Sequence, residues 1–193
     1  MLGAIIGDIA GSKYEFNNTF DYDFEMFGEG CDFTDDTICT VAIADAILNG
    51  RSYQESLLDW CRRYPSPKGA YGGRFAGWIR SLDPQPYNSF GNGSAMRVSG
   101  VVYAANTMEQ VKQLSLMVTD VTHNHPEGIK GAEATAVAAF MAKQGADMQA
   151  IRDYIDANYY PMNFTLNGIR DSYMFNETCQ NTVPQALMAF FES

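Results

Sequence analysis

The stretch Phe33-Thr34-Asp35-Asp36-Thr37 directly precedes an apolar run at 38–48, and the two together predict the start of a helix. A threonine or aspartate at this point caps the first turn, and a nearby carboxylate complements the positive end of the helix. Two adjacent carboxylates between hydroxyls are also the hard oxygen ligands that Mg²⁺, Ca²⁺ or Mn²⁺ prefer. These five residues alone favour the helix cap over the metal site, and the rest of the chain has to test that preference.

The remaining sequence predicts further helices and no strands, because no segment alternates apolar and polar residues with the period of a strand. The predicted helices are 2–12, 37–49, 52–63, 98–105, 108–119, 127–143, 147–158 and 184–191, with a short one around 75–81. Ser52 followed by Glu55 is a capping box, and the segments 64–88 and 159–179 are predicted as loops. We therefore expect an all-α fold, a compact multi-helix bundle that forms a single domain over residues 1–193.

Composition excludes several classes of partner. Hydrophobic residues make up 46% of the chain and charged residues 19%, which is typical of a globular protein. A net charge of -10 with only 13 Lys plus Arg argues against binding to nucleic acid.

The four cysteines lack zinc spacing and indicate free thiols in a reducing cytoplasm. No apolar run reaches the roughly 18 to 20 residues of a membrane span, and the N-terminus does not resemble a signal peptide.

The first predicted helix carries glycines at every fourth position, at Gly3, Gly7 and Gly11. Each glycine costs about 1 kcal/mol of helix propensity relative to alanine, so the stripe predicts either a close helix contact or the approach of a ligand. Asp8 lies on the same apolar segment and needs a partner if it is buried. It fits a residue that supports a metal site, and it equally fits a solvated or capping acid.

Two later motifs also allow two interpretations each. The turn 91–94, Gly-Asn-Gly-Ser, precedes a helix and can hold a phosphate or a sugar with its backbone N–H groups. An ordinary turn with Ser94 as the N-cap is the simpler interpretation of that motif. His123 and His125 are the only histidines, and their spacing does not suit zinc. His123 fits a contact to a ribose or phosphate, and it fits a structural histidine equally well.

Four motifs occur in a fixed order: Gly-Asp-x-x-Gly-Ser-x-x-Glu at 7–15, Thr-Asp-Asp-Thr at 34–37, Gly-Asn-Gly-Ser-Ala-Met-Arg at 91–97, and Thr-His-x-His-Pro-Glu at 122–127. In this order they resemble the ADP-ribosylglycohydrolases, the all-helical family that includes the dinitrogenase-reductase-activating glycohydrolase. The resemblance runs from Leu2 to about Phe191. It implies a helical bundle like that of the family, and a hydrolase that cleaves the bond at the anomeric carbon of ADP-ribose. The implied substrates are an ADP-ribosylated protein or an ADP-ribose-type small molecule.

The resemblance also implies three groups of site residues and a divalent cation, Mg²⁺ or Mn²⁺. The implied metal ligands are Thr34, Asp35 and Asp36. The implied ADP-ribose-binding residues are Asn92, Gly93, Ser94, Met96 and His123. The implied catalytic residues are Glu15, Asp35 and Asp36. Asp8 matches an acid that supports the metal ligands.

One family motif has no counterpart in this sequence. The family completes its metal site with a Gly-Gly-Asp-x-Asp-Thr motif on a late helix, and no aspartate here follows that pattern. The segment 179–187 resembles the family segment that shortly precedes the motif, so we expect the chain to stop short of it. The remaining ligands would then hold one ion weakly. We also expect an apolar face left uncovered at the C-terminal side, open to self-association or to a complementing chain.

Three functions therefore stay open at the level of the sequence. The first is an ADP-ribosylglycohydrolase-like hydrolase, which the ordered motifs favour. The second is a catalytically inactive protein that binds ADP-ribose or a nucleotide through the Asn92 turn and His123. The third is an oligomerising remnant of the family.

Overall fold

The computed structural model describes all residues from 1 to 193 and consists of helices joined by loops. The α-helices are α1 (Leu2–Gly11), α2 (Asp35–Asn49), α3 (Tyr53–Arg63), α4 (Gly73–Arg80), α5 (Val101–Ala104), α6 (Met108–Asp120), α7 (Pro126–Lys143), α8 (Met148–Asn158), α9 (Leu166–Ile169) and α10 (Val183–Phe191). Three short 3-10 helices lie at Asn92–Ser94, Val98–Gly100 and Cys179–Asn181. Strand-like pairing is limited to two isolated bridges, Thr34 with Lys68 and Gly91 with Thr178. The prediction of an all-α fold is confirmed.

The predicted starts of α2, α3 and α7 lie within two residues of the observed ones, because these starts depend on local signals. The Thr34 hydroxyl accepts a hydrogen bond from the Asp36 N–H at 3.2 Å, which begins α2 at Asp35. The Ser52 hydroxyl accepts from the Glu55 N–H at 3.4 Å and begins α3. Proline is the first residue of α7, a position where its missing N–H leaves no bond unmade.

Two short elements, one inside the segment 159–179 and one at its end, were not predicted. Helix α9 has four residues, and the 3-10 helix at Cys179–Asn181 has three, so neither is long enough to show a helical apolar period. The N-cap of α9 is Thr165, whose hydroxyl accepts from the Gly168 N–H at 3.0 Å. Threonine is a common N-cap residue, so the residue type alone was the sequence signal for this helix. The predicted helix at 98–105 is a 3-10 turn that continues into α5.

The chain divides into two compact units, Met1–Gln85 and Pro86–Ser193. In the first unit α2 and α3 pack against each other through side chains with no exposed surface, including Cys39 and Ile43 of α2 and Leu57 of α3. The buried Ser56 hydroxyl donates to the Ala42 carbonyl at 2.7 Å and joins the two helices. The expectation of a single domain over the whole chain stays a prediction.

Helix α1 is apolar, yet none of its ten residues is buried. Leu2 and Ile6 are 77% and 50% exposed. Apart from the adjacent residues and the backbone of α1 itself, no atom lies within 4 Å of the position that a Cβ would take at Gly3, Gly7 or Gly11. The predicted close helix contact along this glycine stripe is therefore wrong within this chain, because no neighbouring element comes within 4 Å of these positions.

The second unit is built around α7, whose alanines let neighbouring elements approach closely. Ala134 and Ala138 of α7 share a core with Ile151 and Ile155 of α8 and with Met188 of α10, all of them buried.

No helix in the structure has the length and apolar character needed to span a membrane.

Gly131 of α7 marks the tightest point of this core. A Cβ at this position would lie 2.6 Å from both Cβ and Sγ of Cys179. Gly77 of α4 is a matched control, because a Cβ there meets nothing within 4 Å.

We expect Gly131→Ala to lower the free energy of unfolding by about 1 to 3 kcal/mol, since the added methyl group overpacks the core. Gly77→Ala should raise it by up to about 1 kcal/mol through helix propensity. Urea denaturation followed by circular dichroism measures both changes. Equal stability of the two variants would contradict the close packing described for Gly131.

Candidate functional site

Asp8 of α1 is bonded to the first turn of α2 through both of its carboxylate oxygens. One oxygen accepts from the Thr34 hydroxyl at 2.6 Å, and the other accepts from the Thr34 N–H at 2.9 Å. The second oxygen also accepts from the N–H and the hydroxyl of Thr37, at 3.1 and 2.5 Å. A carboxylate at the N-terminus of a helix is stabilised by the helix dipole as well as by these bonds. Asp8 therefore fixes the turn that carries Asp35 and Asp36.

The structure brings the predicted ligands Thr34, Asp35 and Asp36 together in this turn. Thr34 is 3% exposed, while the two aspartates are partly buried. The Thr34 hydroxyl donates to Asp8 at 2.6 Å and has a longer contact of 3.4 Å with Asp36 Oδ2, so this oxygen can offer a cation only a lone pair. The carboxylates of Asp35 and Asp36 are the stronger potential ligands.

Glu15 follows α1 and lies against the backbone of Gly69. A Cβ at Gly69 would be 2.6 Å from Glu15 Oε2, and Gly69 has a φ of +79°, so both space and backbone conformation favour glycine there. The sequence motif identified Glu15 but not Gly69. The only sequence signal for Gly69 was its place in a segment rich in glycine and proline.

Asp35 and Asp36 have raised pKa values in this cluster of acids. Burial, and then the charges of Asp36 and Glu15, raise the pKa of Asp35 to about 7. Burial, and then the charges of Asp8 and Glu15, raise the pKa of Asp36 to about 6, although its bond with Thr34 acts in the opposite direction. The cluster therefore holds more negative charge than its surroundings stabilise, and a cation would relieve the repulsion.

The number of side-chain ligands decides how many metal ions these residues can bind. No group of three or more His, Cys, Asp and Glu side chains is arranged to hold a metal ion. Asp35 and Asp36 fit one Mg²⁺ or Mn²⁺ whose remaining positions are filled by water, as is usual for Mg²⁺ in proteins. The residues of this chain do not fit a closed site for two ions.

The second unit holds the predicted ADP-ribose-binding residues in and beside the 3-10 turn Asn92–Ser94. The Asn92 N–H donates to the Glu177 carbonyl at 2.7 Å, and its side-chain amide donates to the Thr182 hydroxyl at 3.4 Å. Ser94 has no exposed surface, and its hydroxyl donates to the Gly128 carbonyl at 2.9 Å. The interpretation of Ser94 as an N-cap is wrong, because this hydroxyl bonds the turn to α7. Met96 and Gly93 are partly exposed.

His123 is 5% exposed and belongs to a buried chain of hydrogen bonds. The buried Arg97 donates through Nη2 to the Thr122 hydroxyl oxygen at 2.7 Å, and that hydroxyl lies 2.6 Å from His123 Nδ1. Since arginine only donates, the threonine proton is available to Nδ1, and we infer that neutral His123 carries its own proton on Nε2. This Nε2 lies 3.3 Å from the Cβ position of Gly93, so the histidine faces the glycine turn.

Arg97 and Thr122 were quoted within motifs but were not identified as site residues. Arg97 is 1% exposed and also donates to the Val118 carbonyl at 2.9 Å. An arginine at the edge of an apolar run gives no sequence signal of such burial. The Nδ1 partner of His123 was adjacent in sequence, but only the structure shows that the two side chains meet.

The structure defines an all-helical protein with an anchored carboxylate cluster in one unit and a histidine facing a glycine turn in the other. The chain belongs to the ADP-ribosylglycohydrolase family, whose sequence profile matches residues 1–190.

Curated relatives include ADP-ribosylhydrolase ARH3 of Homo sapiens, 27% identical over an alignment of 180 residues that covers 75% of this chain and 49% of the human protein. ARH3 of Danio rerio is 26% identical over 186 residues, covering 81% of this chain and 50% of the fish protein. This chain therefore spans about half the length of these relatives.

The fold is also that of a solved structure titled "ADP-ribosylglycohydrolase-related protein complex". The two superpose with a TM-score of 0.71 at 23% identity, covering 98% of this chain and 72% of the other. At this level of identity the likeness concerns the fold.

Stability should depend on pH through Asp35 and Asp36. Both have pKa values raised above the ordinary 3.8, so the folded protein binds more protons than the unfolded chain between about pH 4 and 7. We therefore expect the free energy of unfolding of the metal-free protein to fall as the pH rises through this window. Urea denaturation at several pH values tests this, and Asp35→Asn/Asp36→Asn should flatten the profile. An unchanged slope in that variant would contradict the assignment.

We expect both the stability of the protein and the environment of the His123 ring to depend on the Thr122 hydroxyl. Thr122→Val keeps the shape of the side chain but removes the hydroxyl that Arg97 and His123 share, so we expect a loss of about 1 to 3 kcal/mol of stability. The nitrogen chemical shifts of the His123 ring, measured by NMR, should also change because Nδ1 loses its donor. Thr135→Val is the control, since its hydroxyl bonds only the Gly131 carbonyl of its own helix, at 3.0 Å.

Proposed function

We propose that this protein is an ADP-ribosylglycohydrolase that cleaves the bond at the anomeric carbon of ADP-ribose on a modified protein or a small substrate. The family acts on ADP-ribosylated substrates. The observation that carries the proposal is the pair Asp35 and Asp36, held by Asp8 at the start of α2 in a member of that family.

The chemistry needs carboxylates near the scissile bond. Cleavage at an anomeric carbon passes through a transition state with oxocarbenium character, which negative charge stabilises. Glu15, partly buried beside Gly69, is the residue we assign to proton transfer, a role that typically contributes about 10² to 10⁴ in rate. Asp35 and Asp36, with a lone pair from Thr34, would hold one Mg²⁺ or Mn²⁺, which when bound supplies Lewis-acid polarisation and orients the substrate.

Binding of ADP-ribose is assigned to the second unit. His123 donates from Nε2 on the side of the glycine turn, which suits an acceptor oxygen of a ribose or a phosphate. Asn92, Gly93 and Met96 present the partly exposed surface of the turn, while the buried Ser94 keeps the turn fixed on α7. A chain with a net charge of -10 repels a diphosphate at long range, so neutral donors and a bound cation are both needed.

A catalytically inactive ADP-ribose or nucleotide binder is the second candidate. It is favoured by the lack of any arranged group of three metal-ligating side chains. An oligomerising protein is a third candidate, supported by the exposed apolar residues Leu2 and Ile6 of α1.

Release of ADP-ribose tests the first candidate. We expect turnover with Mg²⁺ or Mn²⁺ on at least one of an ADP-ribosyl-arginine peptide, an ADP-ribosyl-serine peptide and an ADP-ribose ester, followed by chromatography of free ADP-ribose. Glu15→Gln should lower the rate by about 10² to 10⁴, and Asp35→Asn/Asp36→Asn should abolish the dependence on the cation. Asp171→Asn, at an exposed aspartate, is the control and should leave the rate unchanged.

Absence of turnover on all three linkages with either cation would reject the hydrolase. Calorimetry with ADP-ribose then separates the other two candidates. Heat of binding that is lost in His123→Ala would support the inactive binder, and no heat in the wild type would leave the oligomer, which light scattering detects.

A further inference from the structure

The loop between α1 and α2 exposes an unusual number of large apolar side chains. Six of them lie within residues 16–27, with exposed fractions between 40% and 74%: Phe16, Phe20, Tyr22, Phe24, Met26 and Phe27. No other stretch of this length exposes as many. We call residues 16–27 the aromatic segment. Exposed apolar surface concentrated in this way is typical of a surface that binds a partner.

The charge of the aromatic segment has one sign. Asp21, Asp23 and Glu25 alternate with its rings, and Glu29 follows. No lysine or arginine occurs from Tyr14 to Gly50. In a chain with a net charge of -10, this surface repels nucleic acid, anionic lipid and a second copy of the chain. The complementary partner is cationic.

One cation beside the segment shows how such a surface holds a positive charge. Lys13 Nζ lies 3.0 Å from Glu25 Oε2 and 5.8 Å from the centroid of the Tyr14 ring. Tyr14 in turn packs edge-on against Phe24, with ring centroids 5.3 Å apart. The ammonium group is therefore held by a carboxylate and an aromatic face together. Asp21 and Asp23 flank Tyr22 in sequence. These residues offer carboxylates and an aromatic face to a cationic side chain of a partner.

The ends of the loop attach the aromatic segment to the carboxylate cluster. The segment begins one residue after Glu15. Beyond its other end, the Asp32 N–H donates to the Ser12 hydroxyl at 3.0 Å, and Lys68 Nζ donates to the Gly30 carbonyl at 2.5 Å. Thr34 and the metal-ligand candidates follow two residues later. A polypeptide bound to the segment would therefore lie beside the candidate site.

We propose that the aromatic segment binds a stretch of polypeptide rich in lysine and arginine, which, resting on the proposed function, belongs to the ADP-ribosylated protein substrate. Each contact is weak, because exposed ion pairs contribute about 0 to 1 kcal/mol and exposed cation–π contacts about 0.5 to 1 kcal/mol. Several cationic side chains are needed at once, so the surface selects a basic stretch over a single residue. The attraction between exposed charges is screened by salt.

The test uses an unmodified, fluorescein-labelled peptide of alternating Arg, Lys, Gly and Ser residues and measures fluorescence anisotropy. We expect the wild-type protein to bind it at low salt and to lose about 10-fold in affinity as added salt shortens the Debye length. Phe20→Ser/Tyr22→Ser/Phe27→Ser should weaken binding by about 10-fold, the equivalent of roughly 1.4 kcal/mol. The control Leu82→Ser/Met174→Ser removes apolar side chains that are 104% and 79% exposed elsewhere, and it should bind as the wild type does.

A second variant keeps the rings and removes charge. Asp21→Asn/Asp23→Asn should weaken binding and reduce its dependence on salt, with an unchanged circular dichroism spectrum. The proposal is overturned if the ring variant binds the peptide as tightly as the wild type. It is also overturned if a peptide with Glu in place of Arg and Lys binds as tightly as the basic peptide. A third contrary outcome is a ring variant that binds the basic peptide like the wild type but has lost binding to phosphatidylserine vesicles. Because the peptide carries no ADP-ribose, failure of hydrolysis and failure of this proposal are read separately.

Discussion

The hydrogen bonds of the Asp8 carboxylate to Thr34 and Thr37 are the interaction on which the candidate site depends. They satisfy two backbone N–H groups and two hydroxyls at the start of α2. Helix α1 buries none of its residues, so this polar anchor, rather than apolar burial, sets where its end lies. Loss of the carboxylate would leave these donors without an acceptor, at a cost that is larger for partly buried groups than for exposed ones. The direction of Asp35 and Asp36 follows from the turn that Asp8 holds.

The same arrangement creates an electrostatic problem. Burial, together with the charges of Asp8 and Glu15, raises the pKa values of Asp35 and Asp36. Strain of this kind between like charges is common at functional sites and less common where acids only cap helices. A cation resolves it, although two carboxylates and the lone pair of Thr34 fix only part of an ion's coordination shell. The second unit differs, since Arg97, Thr122 and His123 form a chain in which Arg97 Nη2 donates to the Thr122 hydroxyl and that hydroxyl lies 2.6 Å from His123 Nδ1.

The fold was largely predictable because its signals are local. Ser52 with Glu55, and Thr34 with Asp36, are caps that act within one helical turn. The apolar period of α6 is repeated over several turns, and α7 is rich in alanine, a strong helix former. The family order of the motifs also singled out Glu15, Asn92 and His123 as candidate site residues by residue type and spacing, and their roles stay predictions. Helix α9 was missed because four residues cannot display a helical period.

The sequence by itself determined the helices, their caps and the types of residue available for a site. The tertiary structure decided which of them meet. Asp8 reaches Thr34 and Thr37 across 26 and 29 residues, and no spacing rule predicts a contact at that distance along the chain. The tertiary structure also decided that the Ser94 hydroxyl donates to the Gly128 carbonyl and that Glu15 lies against Gly69. It likewise decided that the glycine stripe of α1 faces open space. The physical reason is that capping and periodicity act within a few residues, whereas burial, pKa values and hydrogen-bond partners depend on segments brought together by folding.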